Sequence, residues 1–261
     1  MSDGATHAVR GGAIAPAVAR AIRNAPGVFL ILWATRWALG ALTPVLQAQG
    51  AVPPAAGHGT WLLLPWLAGL GVAAVDALVI RWLLAPRRES LRPDLGLAAY
   101  VVLIALSNLP MWLLIRLLRP TPGGVGALSE MARRAVLITT STIGWDLILA
   151  TLALWPIALL MGDRISLPRA VRLMGPAYLI WIAALIVLLL PSLAWTWLPI
   201  LLHHVHRSLT DRLISTAIST FTGALGVFVL AYIYARRVRG ADLPAALPSL
   251  DGEGQTAQRS G

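Results

Sequence analysis

The stretch PAYLIWIAALIVLLLPSLAWTWLPIL, Pro176 to Leu201, carries no charged side chain. A helix needs about 20 predominantly apolar residues to cross a bilayer. This run is long enough, and it is too long for a strand. In hydrocarbon only helices and closed barrels satisfy every backbone group, and the period-2 alternation of a barrel strand is missing here. The stretch therefore predicts a transmembrane helix.

Working outward, five further runs read the same way. The predicted spans are 27–48, 61–84, 96–118, 135–160, 176–201 and 212–235. Composition agrees: of 261 residues, 57% are hydrophobic and 12% charged, and the mean hydropathy is +0.74. Globular proteins are nearer ~25% charged. The expected fold is an all-α polytopic membrane bundle of six helices. Residues 1–26 are expected to be a cytoplasmic segment that includes an interfacial helix over 13–24. Residues 240–261, rich in Gly, Pro, Ser and Ala, are expected to form a disordered cytoplasmic tail. Asn24 and Thr210 read as caps of the first and sixth spans. Pro44, Pro110 and Pro191 read as kinks.

The residues 1–50 also have the outline of a signal peptide, but Arg36 interrupts the apolar run, so an uncleaved anchor is the expectation. Loop arginines set the orientation. Arg10, Arg20, Arg23, Arg87, Arg88, Arg92, Arg164, Arg169, Arg172, Arg236, Arg237 and Arg239 fall on one side. Arg119, Arg133, Arg134 and Arg207 fall on the other, with Arg116 at its edge. The majority side is expected to be cytoplasmic, with both termini there.

The formal net charge is +10. The basic residues sit between apolar runs rather than on one face, so anionic lipid headgroups, and not nucleic acid, are the expected partner. Candidate headgroup contacts are Arg87, Arg88, Arg169, Arg172, Arg236 and Arg237. The segment Asp163 to Gly175 reads as a short amphipathic helix, capped by Ser166, in the headgroup layer.

Each odd span follows a similar segment: RAIRNAPGVF (Arg20 to Phe29), RPDLGLAAY (Arg92 to Tyr100) and RAVRLMGPAY (Arg169 to Tyr178). Three helical hairpins, aligned on Gly27, Gly96 and Gly175, are one reading. The bland alternative is that topology alone demands basic residues before apolar ones.

Charges inside a membrane cost ~2.5–3.5 kcal/mol on insertion scales, so each needs a reason. Arg36, Asp76 and Asp146 fall within spans. Arg36 and Asp76 each lie eight residues from the inner end of a span, ~12 Å deep. An Arg36–Asp76 ion pair is expected, with Asp146 beside Asn108 or competing for Arg36. The cluster reads either as a polar site between helices or as a structural pin, with Arg36 stacked on Trp33 or Trp37.

Hydroxyls cluster at Thr139–Thr142 and along Ser215, Ser219 and Thr222, a helix-packing stripe rather than a pore lining. His203 and His206, in HHVHR, are weak metal candidates without a third ligand at helical spacing. Cysteine is absent. No GxxxxGK[ST], HExxH or GxSxG pattern occurs, so neither an enzyme nor a cofactor is expected.

LALWPIALLMG (Leu152 to Gly162), RISLPRAVRL (Arg164 to Leu173) and LLLP (Leu188 to Pro191) resemble uncharacterised six-span inner-membrane families of bacteria. They are also similar to the membrane portion attached to some glycerophosphodiester phosphodiesterases. The likeness covers roughly residues 135–240. It implies a bacterial inner-membrane location. The soluble phosphodiesterase domain is not in this chain, so that activity does not carry over. The expected function is non-enzymatic lipid or partner binding in the envelope. The alternative is a transporter or permease-like component that uses Arg36, Asp76 and Asp146.

Overall fold

The computed structural model describes residues 11–49, 64–85, 93–117, 127–201, 208–241 and 243. Among them all regular structure is helical: α1 Gly11–Asn24, α2 Pro26–Ala48, α3 Leu64–Leu84, α4 Leu95–Leu117, α5 Ala127–Leu152, α6 Leu154–Leu160, α7 Leu167–Leu201 and α8 Leu209–Tyr234. A π-helical turn, Ala235–Arg239, continues α8. Among the described residues four helices (α2, α3, α7 and α8) are long and apolar enough to cross a membrane, and the bent pair α5–α6 counts as a fifth if taken as one span. The chain is a multi-pass helical membrane protein. Its lipid-facing character shows in exposed Ile31, Leu179 and Val187.

The helices form a ring. α2 packs on α3, α3 on α4, α4 on α6 and α5, these on α7, α7 on α8, and α8 back on α2. α3 also touches α8 across the middle, and α1 lies outside against α8 and α2. The core is thickest where the second half of α8 meets the others. Phe228, Tyr232, Ile233 and Tyr234 are buried with Leu32, Ile80, Ile157 and Met174. Phe29 packs edge-on against both Phe221 and Phe228.

Several local expectations are corrected. Asn24 does not cap α2; it ends α1, and Ala25 is the cap, with Pro26 in the first turn and no side-chain bond. Proline needs no acceptor there, because its missing N–H belongs to the unsatisfied first turn. Thr210 does not cap α8. Ser208 does, in a capping box. Its Oγ accepts from the Asp211 N–H at 3.1 Å, and Asp211 Oδ2 accepts from the Ser208 N–H at 3.0 Å.

The fourth predicted span is not one rod. It turns by 51° between α5 and α6. Pro156 explains the position. It has no N–H for the Leu152 carbonyl four residues back, and its ring crowds that carbonyl. Pro44 and Pro191, in contrast, lie within unbroken α2 and α7. The separate headgroup-layer helix over 163–175 is also absent: its residues from Leu167 onward are the first turns of α7, which runs unbroken to Leu201.

Gly27, Gly96 and Gly175 are not equivalent. Added Cβ atoms at Gly27 and Gly175 would meet nothing within 4 Å. One at Gly96 would stand 2.9 Å from the Leu159 carbonyl oxygen and 3.0 Å from Arg81 Nη2. The three motifs therefore do not share one packing role.

Candidate functional site

Arg36 of α2 and Asp76 of α3 come together: one guanidinium nitrogen, Nη1, contacts both carboxylate oxygens. The side chains are 15% and 14% exposed. Spacing explains the meeting. Arg36, Gly40 and Thr43 recur along one face of α2, and Gly69, Ala73 and Asp76 along one face of α3. These two faces line a cavity of about 360 Å³, with the ion pair in its wall.

The other side of Arg36 is closed. Its guanidinium lies against the α8 backbone at Gly223, and Nε is buried without a hydrogen-bond partner. Arg36 stacks on neither tryptophan among the described residues. Trp33 and Trp37 instead donate to the α8 carbonyls of Ala217 (3.2 Å) and Leu213 (3.3 Å). An indole N–H has no water to bond in hydrocarbon, so a helix carbonyl is the available acceptor.

Asp146 joins neither residue. It lines a second cavity of about 220 Å³ among α4, α5, α6, α7 and α8, with Tyr100, Trp155 and Trp181. Ile104 of α4 lines both cavities. Trp145, the neighbour of Asp146, donates to the Ser107 carbonyl at 2.7 Å. The side chain of Asn108 lies outside the described residues.

A third polar group sits where α3, α4, α6 and α8 meet at one end of the bundle. α6 stops at Gly162, whose φ of +71° suits glycine. The Asp163 N–H bonds the Ala158 carbonyl at 2.8 Å and the Gly162 N–H bonds Leu159 at 3.2 Å, a Schellman stop. That motif leaves the Leu160 carbonyl over. Arg81 takes it, with Nε at 3.0 Å and Nη2 at 2.9 Å.

The Arg81 Nη2 group also pairs with Asp94. Asp94 in turn accepts from the Leu97 N–H at 2.8 Å at the start of α4. The hydrogen bond from Arg81, helped by the Leu97 and Gly96 N–H groups, holds the Asp94 carboxyl below its usual range. Beside this, Arg239 bonds the Leu84 carbonyl at the end of α3 (3.2 Å) and Asp163 (3.2 Å). Tyr234 donates to the same Asp163 oxygen. Cationic groups at helix C-termini answer the unpaired carbonyls and the negative end of the dipole.

Sequence reading missed Arg81, Asp94, Asp163, Tyr234 and Arg239. One signal was present: Asp94, three residues before Leu97, has the spacing of a helix cap. The candidate headgroup contacts divide. Arg169 and Arg172 are exposed on the first turns of α7. Arg236 lies 6.0 Å from the Tyr232 ring centroid. Arg237 is only 6% exposed and donates to the Leu173 carbonyl at 2.9 Å, so it is a packing residue rather than an open contact. Arg87, Arg88, His203 and His206 lie outside the described residues. Among those described, no group of three potential ligands could hold a metal.

Another recess among the described residues is apolar. α1 lies beside α7 and α8 but leaves a groove of about 720 Å³, walled by Ile14, Val18, Leu179, Ala183, Val187 and Leu225 among others. Arg172 is seven residues before Leu179, and Arg169 eleven before Ile180. Both spacings keep a residue on one helix face. Arg172 thus stands about 10 Å along the helix from the groove wall.

Comparisons of this chain with protein-family models, with curated proteins and with solved structures give no match.

Proposed function

We propose that the protein is a non-enzymatic, six-span protein of the bacterial inner membrane, with both termini cytoplasmic, that holds a membrane lipid. The carrying observation is the groove between α1 and α7–α8. A recess of that volume on a bilayer-embedded surface fills with acyl chain, because dispersion contacts are lost wherever a void remains. The exposed Arg172 and Arg169 on the same α7 face suit an anionic headgroup, each guanidinium offering several N–H donors to phosphate oxygens. The count of loop arginines supports the orientation.

Photocrosslinking tests this reading. A phospholipid with a diazirine in its acyl chain is expected to label α1 and the Leu179–Leu188 stretch of α7 above other lipid-facing segments. Uniform labelling around the ring would contradict it.

A second reading, a permease-like component, is favoured by the cavity that ends on Arg36 and Asp76 and by Asp146 in the second cavity, which has no ion pair among the described residues. It expects Asp76→Asn or Asp146→Asn to abolish solute accumulation in cells while folded yield is kept. Loss of yield instead would leave these charges structural.

A further inference from the structure

We infer that the cavity around Asp146 is a binding site for a compact organic cation of the quaternary-ammonium kind. It adds a ligand class to the second reading above. Its test reads binding rather than transport, so it can fail while the lipid reading stands.

Three observations point to it. The first is composition. Tyr100, Trp155 and Trp181 line one small cavity with a carboxylate. Aromatic faces carry partial negative charge and attract cations, and several rings around one space form a cage for alkylated ammonium groups. Tyr100 and Trp181 are 5% and 6% exposed, so these walls are held by packing.

The second is charge balance. Asp146 has no ion pair or hydrogen bond among the described residues, unlike Asp76, which is neutralised by Arg36. Among the described residues no basic side chain lines its cavity. A guest cation would supply the missing counter-charge within the membrane.

The third is how the cage is built. Asp146 and Trp155 are nine residues apart, so on an unbroken helix they would face opposite ways. The bend between Leu152 and Leu154 brings both onto one cavity. A broken helix at membrane depth is tolerated where it lines a cavity.

The cavity of about 220 Å³ suits a small guest rather than a drug-sized one. Its described lining offers few side-chain oxygen ligands, which disfavours a bare metal ion.

The experiment is calorimetric titration of the full chain in nanodiscs with choline. The comparison is 3,3-dimethyl-1-butanol, which has the same shape without the charge. Choline is expected to bind saturably, and the neutral alcohol about tenfold more weakly or not at all. Asp146→Asn and Trp181→Leu are each expected to weaken choline by about tenfold or more. Trp155→Phe keeps a ring and is expected to retain most of the affinity. Because Asp146→Asn is isosteric, its result stands even if Trp181→Leu fails to fold. Equal binding of choline and the alcohol would overturn the inference and mark a neutral pocket. So would the absence of saturable choline binding to the folded wild type, or unchanged binding in Asp146→Asn.

Discussion

Gly223 of α8 and Arg36 of α2 are in direct apposition: a methyl group added at Gly223 would stand 3.0 Å from Arg36 Cζ and closer still to Nη2. α8 thus closes the face of Arg36 that Asp76 leaves open. Gly223→Ala is expected to displace the guanidinium and destabilise the fold by about 1–3 kcal/mol, as overpacking does. Gly226→Ala, three residues on, would meet only Leu188 Cδ1 at 3.7 Å, so little change is expected. Thermal unfolding of both variants in the same detergent makes the comparison. Equal melting temperatures would show that the contact is slack.

The ion pair itself gives a second prediction. Removing one partner strands a buried charge, which costs about 3–5 kcal/mol. Arg36→Asp and Asp76→Arg alone are each expected to reduce folded yield sharply, and the double exchange to recover part of it. Size-exclusion yield of the three variants is the readout. A double variant no better than either single one would refute the pairing.

Asp94 predicts an acid limb of stability. Its carboxyl is held low by Arg81, so in the folded state it stays ionised where the unfolded chain would take up a proton. The contribution is fully present above the ordinary carboxylate range. It is lost as pH falls through the lowered folded value. The carboxylate is 54% exposed, so solvent and salt screen the effect. Asp94→Asn is expected to melt lower than wild type at neutral pH, with the difference shrinking as the medium is acidified. A difference constant with pH would assign the effect to helix capping alone.

The three aligned glycines separate cleanly. Gly96→Ala must push against the Leu159 and Leu160 carbonyl oxygens and Arg81, and about 1–3 kcal/mol of destabilisation is expected. Gly27→Ala and Gly175→Ala meet open space within helices. There alanine is expected to be neutral, or to stabilise by about 0.4–1 kcal/mol through the unfolded chain. Similar losses at all three positions would restore their equivalence.

These cases also show what a sequence can carry. The apolar runs were legible because a charge in hydrocarbon is costly. That cost bounds α2, α3, α7 and α8 within a few residues, except where α7 absorbs Leu167 to Gly175. Arg36 and Asp76 were legible as equal depths on adjacent helices. The break near Ala153 was not, because Pro156 sits in the same kind of apolar run as Pro44 and Pro191, which break nothing. Arg81 and Arg239 were not legible as carbonyl ligands either. Their acceptors, Leu160 and Leu84, are 79 and 155 residues away in sequence, and only tertiary structure pairs them. The amphipathic face of α1 was visible, but its neighbours α7 and α8, and so the groove, were not.

The central claim is that the α1–α7–α8 groove holds one anionic lipid. Native mass spectrometry of the protein released from nanodiscs of mixed phosphatidylglycerol and phosphatidylcholine tests it most directly. The expected spectrum shows one retained phosphatidylglycerol on the wild type. That lipid is expected to be lost from Ala183→Trp, which fills the groove, and exchanged for phosphatidylcholine in Arg169→Gln/Arg172→Gln. A bare wild-type protein, or lipid retention unchanged in Ala183→Trp, would contradict the account.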